Sequence, residues 1–369
     1  MNWDLIRNEY LNHYNGIYLN SPANGLLSSA NVAFTQTETA KFLKDPGRYR
    51  MDFIFKQVPL VKEQISNLIN AEADNIALIQ NFSIGINFFI STLPPESRVV
   101  LFEGDFPSLN MPFEERNFEI KWFRFLEDHT LDLGNLEQLL RSENPDILAI
   151  SHCQWQTGYL VDIEGIGKLC KQYQCTFIVD CTQSFGAISM DVKKCNIDVL
   201  GSSCYKWPLA GFGNGFMYLS PRVLEKYPPQ IAGFNSNTWD AGNPIYIAGA
   251  KSFEPGHHDH DAFNRLYFAL KRINEIGIEA IHLRICELMD ELIDQLKKHD
   301  IPIVGDFYQE NRLGILSIPR RPGLFKHLMQ HGIETTERGD YIRLGLHYYN
   351  NKSDIDALVS AILSYKEAV

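Results

Sequence analysis

Two residues carry most of the chemistry in this sequence. Asp180 closes the apolar run TFIVD (176–180), and Lys206 follows the run VLGSS (199–203) in the stretch SSCYKWPLAGFGNG. Alone, each has a plain reading. The aspartate could cap a following turn, and a lysine between Tyr205 and Trp207 could snorkel from apolar surface to water. Together they suit one cofactor, pyridoxal 5′-phosphate (PLP). A lysine amine forms a Schiff base with its aldehyde. The ring withdraws electrons while its nitrogen is protonated, and a nearby carboxylate favours that state. The phosphate needs donors of its own. NFSIGIN (81–87) follows the run IALIQ (76–80) and opens an apolar helical stretch. There the Ser83 hydroxyl and the free amides around Ile84 would form an anion site at a helix N-terminus, although a plain Ser N-cap would read the same way. Gly211, Gly213 and Gly215 allow sharp turns. Their G-x-G-x-G spacing leads into a strand, so they form no dinucleotide fingerprint, which argues against a nicotinamide-dependent dehydrogenase.

The elements that must position these groups are short, nearly continuous apolar runs: 76–80, RVVLFE (98–103), ILAISH (147–152), 176–180, 199–203 and GFMYLS (215–220). Such runs are expected of strands buried on both faces of a mostly parallel sheet. Helical patterns lie between them, as in 162–175 with Asp162 as N-cap. Strand–helix alternation reads as an α/β layer fold, with ligands beyond the carboxyl ends of the strands. After Pro255-Gly256 the character changes. A long helix with Ile285, Leu288, Met289, Leu292 and Leu296 on one face is expected to end at Lys297-Lys298-His299. ILSIP (315–319), FKHLMQHG (325–332), YIRLGL (341–346) and a helix over 354–368 follow. The expected division is 1–16 as an N-terminal segment packing with the small domain, 17–255 as a large PLP-binding domain and 256–369 as a small α+β C-terminal domain.

The formal charge of -11 gives an acidic surface that repels nucleic acid and anionic lipid, so neither is an expected partner. No run approaches the roughly 18 apolar residues of a membrane span, and the polar N-terminus has no signal-peptide pattern. Seven irregularly spaced cysteines without a C-x-x-C pair fit reduced thiols, so a cytoplasmic location is expected.

The stretch VDCTQSFGAISMDVKKCNIDVLGSSCYKWPLAGFGNGFMYLS resembles the core of class V aminotransferases, a PLP-dependent group of fold type I that includes cysteine desulfurases and kynureninases. The likeness runs from IYLNSPANG (17–25) to RLGLHYYN (343–350). It implies the following roles. Lys206 binds the cofactor covalently and shuttles protons. Asp180 pairs with the pyridine nitrogen, and Gln183 hydrogen-bonds the phenolic oxygen. Ser203, Tyr205, Ser83 and Ile84 serve the phosphate, and Phe106 in GDFPS stacks on the ring. Arg343 takes the substrate carboxylate. In SHCQWQTG (151–158), Gln154 or Gln156 could reach cofactor or substrate. Homodimers with shared active sites are also implied.

The pattern breaks in two places. The family commonly has Gly-Thr after the Phe-Glu run, its Thr reaching the partner subunit's phosphate; here His257 stands in that position and could still donate. Successive His257, His258 and His260 are poorly spaced to converge on one metal ion, so no metal is assigned. A desulfurase also needs a cysteine in a loop of the final domain, and none follows Cys286. The reading is therefore a PLP enzyme acting on a small amino acid or amine, with class V aminotransferase as the leading label. A kynureninase-like or C–S lyase is the alternative, and a PLP-fold binding protein without activity ranks last.

Overall fold

The computed structural model describes residues 1–305 and 309–366. Fourteen strands are present among them: β1 (Ile17–Tyr18), β2 (Ile76–Ile79), β3 (Arg98–Phe102), β4 (Glu119–Phe123), β5 (Ile147–Ser151), β6 (Thr176–Asp180), β7 (Val199–Ser203), β8 (Gly215–Leu219), β9 (Asn237–Asp240), β10 (Asn243–Tyr246), β11 (Ile315–Pro319), β12 (Ile333–Glu334), β13 (Thr336–Arg338) and β14 (Tyr341–Gly345).

Seven of these form the central sheet in the order β2-β8-β7-β6-β5-β3-β4. Only β8 runs against its neighbours. β2, β5, β6, β7 and β8 are buried along their whole length, as strands covered on both faces must be. One apolar cluster lies on each face, the first holding Val100, Leu148, Phe177 and Leu200 and the second Val99, Leu101, Ile147 and Ile178. Alternate residues of one strand therefore serve opposite layers. The carboxyl ends of β2, β3, β5, β6 and β7 and the start of β8 share one edge, because Ile79 and Ser203 both pair with Gly215.

β4 was not expected from sequence. It lies at one edge of the sheet, and its charged and partly exposed face lacks the continuous apolar signature. The hairpin β9–β10 was also unexpected; it is antiparallel and largely solvent-exposed.

A smaller antiparallel sheet, β11-β14-β13, packs against helices Ile278–Lys298, Leu324–Gln330 and Lys352–Ser364 through Leu288, Leu292, Leu316, Leu344, Leu358 and Ile362. The expected end of the long helix at the Lys-Lys-His run is met, with His299 as its C-cap. The last helix ends at Ser364; residues 367 and 368 of the expected 354–368 span lie outside the described residues. The N-terminus joins this part of the molecule. Helix Trp3–Leu11 is tied down by a fork of two hydrogen bonds from Arg7 to Asp354, and β1 pairs in parallel with β12. Among the described residues no helix is long and apolar enough to cross a membrane.

Candidate active site

The site forms where the carboxyl edge of the large sheet meets the small one. β6 delivers Asp180 and β7 delivers Ser203, with Lys206 one tight turn further on. That turn is fixed from outside by the segment 20–25. Gly25 N–H donates to the Tyr205 carbonyl, and a Cβ at Gly25 would lie 2.1 Å from the Lys206 carbonyl oxygen. Any side chain there would displace the lysine's backbone. His347 braces the turn from beneath: its Nε2 lies 3.0 Å from the Trp207 carbonyl, with the two rings stacked.

Lys206 is 5% exposed. Among the described residues neither an acceptor nor a carboxylate lies within bonding reach of its amine. Two aromatic rings flank it, Phe106 at 5.4 Å and Tyr205 at 5.7 Å from Nζ to centroid. Burial pushes the amine down to about 7, the Arg343 charge adds to that, and Asp180 partly opposes it. Asp180 is buried too, and burial pushes its carboxyl up to about 6 against stabilising bonds from Thr182 and the Lys206 charge. The two groups thus sense each other's charge without touching, which suits opposite ends of one small ring.

Around them, donors are partly engaged and partly available. Thr182 N–H donates to Asp180 Oδ1 at 2.8 Å, and Thr182 Oγ1 accepts from Ser203 N–H at 3.2 Å. Ser203 Oγ accepts from Phe82 N–H at 2.9 Å, so its own proton remains for another acceptor. Gln183 donates to the Pro22 carbonyl and accepts from Trp207 Nε1, both at 3.0 Å, leaving one amide proton. The Tyr205 ring stacks on Phe212 at 4.6 Å, and no described residue hydrogen-bonds its hydroxyl.

At the helix Phe82–Ile90 the cap is Asn81, not Ser83. Asn81 Oδ1 accepts from Ile84 N–H at 3.0 Å, so the Ile84 amide expected to serve a phosphate is engaged in this state of the chain. Ser83 itself sits half-buried in the first turn, close to the Ser203–Phe82 bond.

Arg343 approaches from β14. It is 3% exposed, Nη1 donates to the Trp155 carbonyl at 2.7 Å, and Nε is buried without an acceptor. Trp155 packs edge-on against Phe106 and donates to the Gly104 carbonyl. The loop 154–157 therefore bridges Phe106 and Arg343. Within it Gln154 is buried and donates to the Ser151 carbonyl.

His257 does not join this group within one chain. It is exposed, and its ring lies 6.0 Å from that of Phe234. His258 lies 3.0 Å from Glu254, while His260 packs among Tyr49 and Phe53, so the three imidazoles turn to different neighbours.

Sequence reasoning missed Thr182, which links Asp180 to Ser203, and Asp105, whose buried carboxylate accepts from the amides of Phe106 and Ser151. It also missed His152, held 3.0 Å from Ser184 and pushed down to about 4 by burial. Thr182 lies between Asp180 and Gln183 and could have been read there. Asp105 holds two backbone amides and His152 meets Ser184 across the fold, contacts that no spacing reports.

The donor set fits a ligand with an aldehyde, a basic ring nitrogen and a phosphate. The family comparison agrees: the model for "Aminotransferase class-V" matches residues 17–358. The chain belongs to the class V aminotransferase family. It is 26% identical over 319 residues to an uncharacterized aminotransferase of Schizosaccharomyces pombe, covering 82% of this chain and 80% of that protein. A probable cysteine desulfurase of Pyrococcus abyssi is 24% identical over 333 residues, covering 82% and 81%. A solved mutant of the enzyme C-DES, with glycine covalently linked to its PLP cofactor, superposes with a TM-score of 0.88 at 19% identity, covering 98% of this chain and 99% of that one. The fold is that of fold type I, and this class V protein is a PLP-dependent enzyme.

Proposed function

We propose that this class V enzyme acts on a small amino acid by transamination, with Lys206 as its catalytic residue. The observation that carries the reading is the buried Lys206 amine, unpaired among the described residues, beside an aromatic face and within electrostatic reach of buried Asp180. When bound, PLP supplies an aldehyde and an electron-withdrawing ring for the pair left at the substrate α-carbon.

The chain's residues then divide the work. Lys206 holds the cofactor and, once displaced by the substrate amine, moves a proton at the α-carbon; an amine near 7 is matched to that task at neutral pH. Asp180 keeps the ring nitrogen protonated, because a buried carboxylate beside a cation regains its charge. Gln183 offers its remaining N–H to the phenolic oxygen. Ser203, Tyr205 and Ser83 offer protons to the phosphate, joined by the Ile84 amide if Asn81 lets it go. Phe106 covers one face of the ring and helps exclude water. Arg343 takes the α-carboxylate in a two-pronged bond. His257 serves the same phosphate from a second subunit, which makes the working unit a homodimer. The exposed Phe234 beside it favours such a contact. The seven unpaired thiols suit the reducing cytoplasm.

A lyase is the second reading, favoured by an aromatic Phe106 over the ring where desulfurases carry His. Desulfurase chemistry itself fits poorly. Six cysteines are buried and Cys286 is partly so. Cys153 is buried, its thiol is pushed up to about 12, and it donates to the Gly158 carbonyl, so it is no nucleophile.

An absorption spectrum tests the assignment. Purified protein incubated with PLP should show the near-ultraviolet or visible band of a lysine-bound cofactor, and Lys206→Ala should lose it. An amino-acid panel then separates the reactions: formation of pyridoxamine phosphate supports transfer, and release of alanine, pyruvate or sulfide supports a lyase. A protein that stays colourless overturns the reading.

A further inference from the structure

Arg343 has a companion that the roles above leave unused. In the small sheet β13 pairs antiparallel with β14, with Thr336 opposite Arg343 and Arg338 opposite Tyr341. Directly opposed residues share a face, and so do residues two apart along a strand. Arg338 and Arg343 are therefore diagonal neighbours on one face, with Cα atoms roughly 7–8 Å apart by sheet geometry.

That face looks into the site. Ser317, opposite Arg343 on β11, hydrogen-bonds the Gln156 carbonyl, and Arg343 bonds the Trp155 carbonyl. Both arginines also bear on the lysine: the Arg343 and Arg338 charges each help to lower the Lys206 amine, and Arg338 likewise lowers Arg343.

No acid answers this pair. Among the described residues neither guanidinium has a carboxylate within ion-pair reach. Glu337 alternates to the opposite face, opposite Ile342. Glu334 is taken by the Tyr14 hydroxyl at 2.6 Å and by Asn20 at 3.4 Å. The hydrogen bond found for Arg338 is a 3.2 Å contact to the neighbouring Glu337 carbonyl. Arg338 is half-buried rather than fully solvated, and it lies on the face that carries Arg343 and Ser317 toward the loop 154–157. Two like charges on one sheet face repel each other unless anions lie between them.

We infer that the substrate is an amino acid with a second acidic group, its α-carboxylate on Arg343 and its side-chain carboxylate or phosphonate on Arg338. This rests on the PLP reading above. It makes Arg338 a residue that determines specificity. A site built around a guanidinium leaves that charge unpaired when the ligand is a neutral isostere, so discrimination comes from the poor fit of the amide as much as from the good fit of the acid.

Isosteric pairs isolate the second charge. With the PLP-loaded enzyme, kcat/KM is measured for aspartate against asparagine and for glutamate against glutamine, with 2-amino-3-phosphonopropionate as a third acidic probe. At least one acid should exceed its amide, or alanine in the case of the phosphonate, by about thirty-fold or more. Arg338→Met should bring that ratio to within about threefold of one, and Arg338→Lys should restore part of it. A readout without turnover accompanies these: in calorimetry succinate should bind at least about tenfold tighter than succinamate, and Arg338→Met should remove the difference. The cofactor band of each variant reports its folding. Neutral and acidic partners reacting alike in wild type, or a ratio unmoved in a normally coloured Arg338→Met, overturns the inference while leaving the PLP reading intact. If no amino acid perturbs the band and Lys206→Ala changes nothing, the PLP reading itself has failed.

Discussion

Two ionisable side chains are buried in this molecule in opposite ways. Lys206 is 5% exposed and faces aromatic rings and two cations; Glu254 is 1% exposed and is ringed by positive groups. Lys62 lies 2.7 Å from the Glu254 carboxylate, Lys251 2.8 Å and His258 3.0 Å, and the Leu78 N–H donates to it at 2.8 Å. Burial alone would raise that carboxyl, yet its neighbours hold it well below the ordinary glutamate range. The compensated charge ties the loop before His257 to the first strand of the central sheet, which is a structural task. The uncompensated amine is a cost to the fold that a ligand can relieve. Burial without partners therefore marks chemistry here, and burial with partners marks architecture.

Replacing each residue in turn should divide the effects along that line. Lys206→Ala should lower kcat by at least about a thousand-fold through lost proton transfer alone. It should also abolish the lysine-bound cofactor band, while leaving the apoprotein no less stable, because an unpaired buried amine is removed. A drop in urea midpoint for Lys206→Ala would contradict the contrast. Glu254→Gln should do the reverse. Breaking one partner of a buried ionic cluster costs about 3–5 kcal/mol, read as a lower urea midpoint with the cofactor band retained at low denaturant. Its pH dependence has a definite sign. A carboxyl depressed in the folded state stabilises above its unfolded value of about 4.3, and that contribution fades as pH falls further. The acid unfolding limb should therefore flatten in Glu254→Gln.

The lysine's own titration sharpens the contrast. Only a neutral amine captures an aldehyde, so the rate of PLP capture by the apoprotein should follow an apparent value of about 7. Between pH 6 and 8 the rate should rise about tenfold and then level off; an unperturbed lysine would go on gaining about tenfold per pH unit to near 10. Stopped-flow absorbance at fixed PLP measures this directly. A linear rise through pH 9 would show that the amine is not desolvated.

What could be read beforehand follows the same division. The six strands β2, β3, β5, β6, β7 and β8 showed themselves because strands covered on both faces need unbroken apolar runs; Asp180 closes one of them and Lys206 follows another. Arg343 was legible from its flanks in YIRLGL. Arg338 was not, because TERGD looks like a turn and its function depends on a cross-strand register that no local pattern encodes. That the Ile84 amide is engaged by the cap was hidden for a related reason. Ser83 and Asn81 are both good caps, and only the chain's direction into the helix decides which accepts and which backbone donors remain. β4 hid because an edge strand carries charge, and the β9–β10 hairpin hid because it covers no core within the chain.

The smallest effect concerns that cap. Asn81→Ala removes the acceptor for Ile84 N–H and should cost the apoprotein about 1 kcal/mol. If the phosphate takes the Ile84 amide, wild type must give up this bond when the cofactor binds, whereas the variant has nothing to give up. The penalty should then shrink in the PLP-loaded protein, and PLP should raise the melting temperature of Asn81→Ala more than that of wild type. Equal penalties in both states would mean that the cap persists with cofactor bound. The phosphate would then rest on Ser203, Tyr205 and the Ser83 hydroxyl, and Ile84 would belong, like Glu254, among the groups whose partners are already in place.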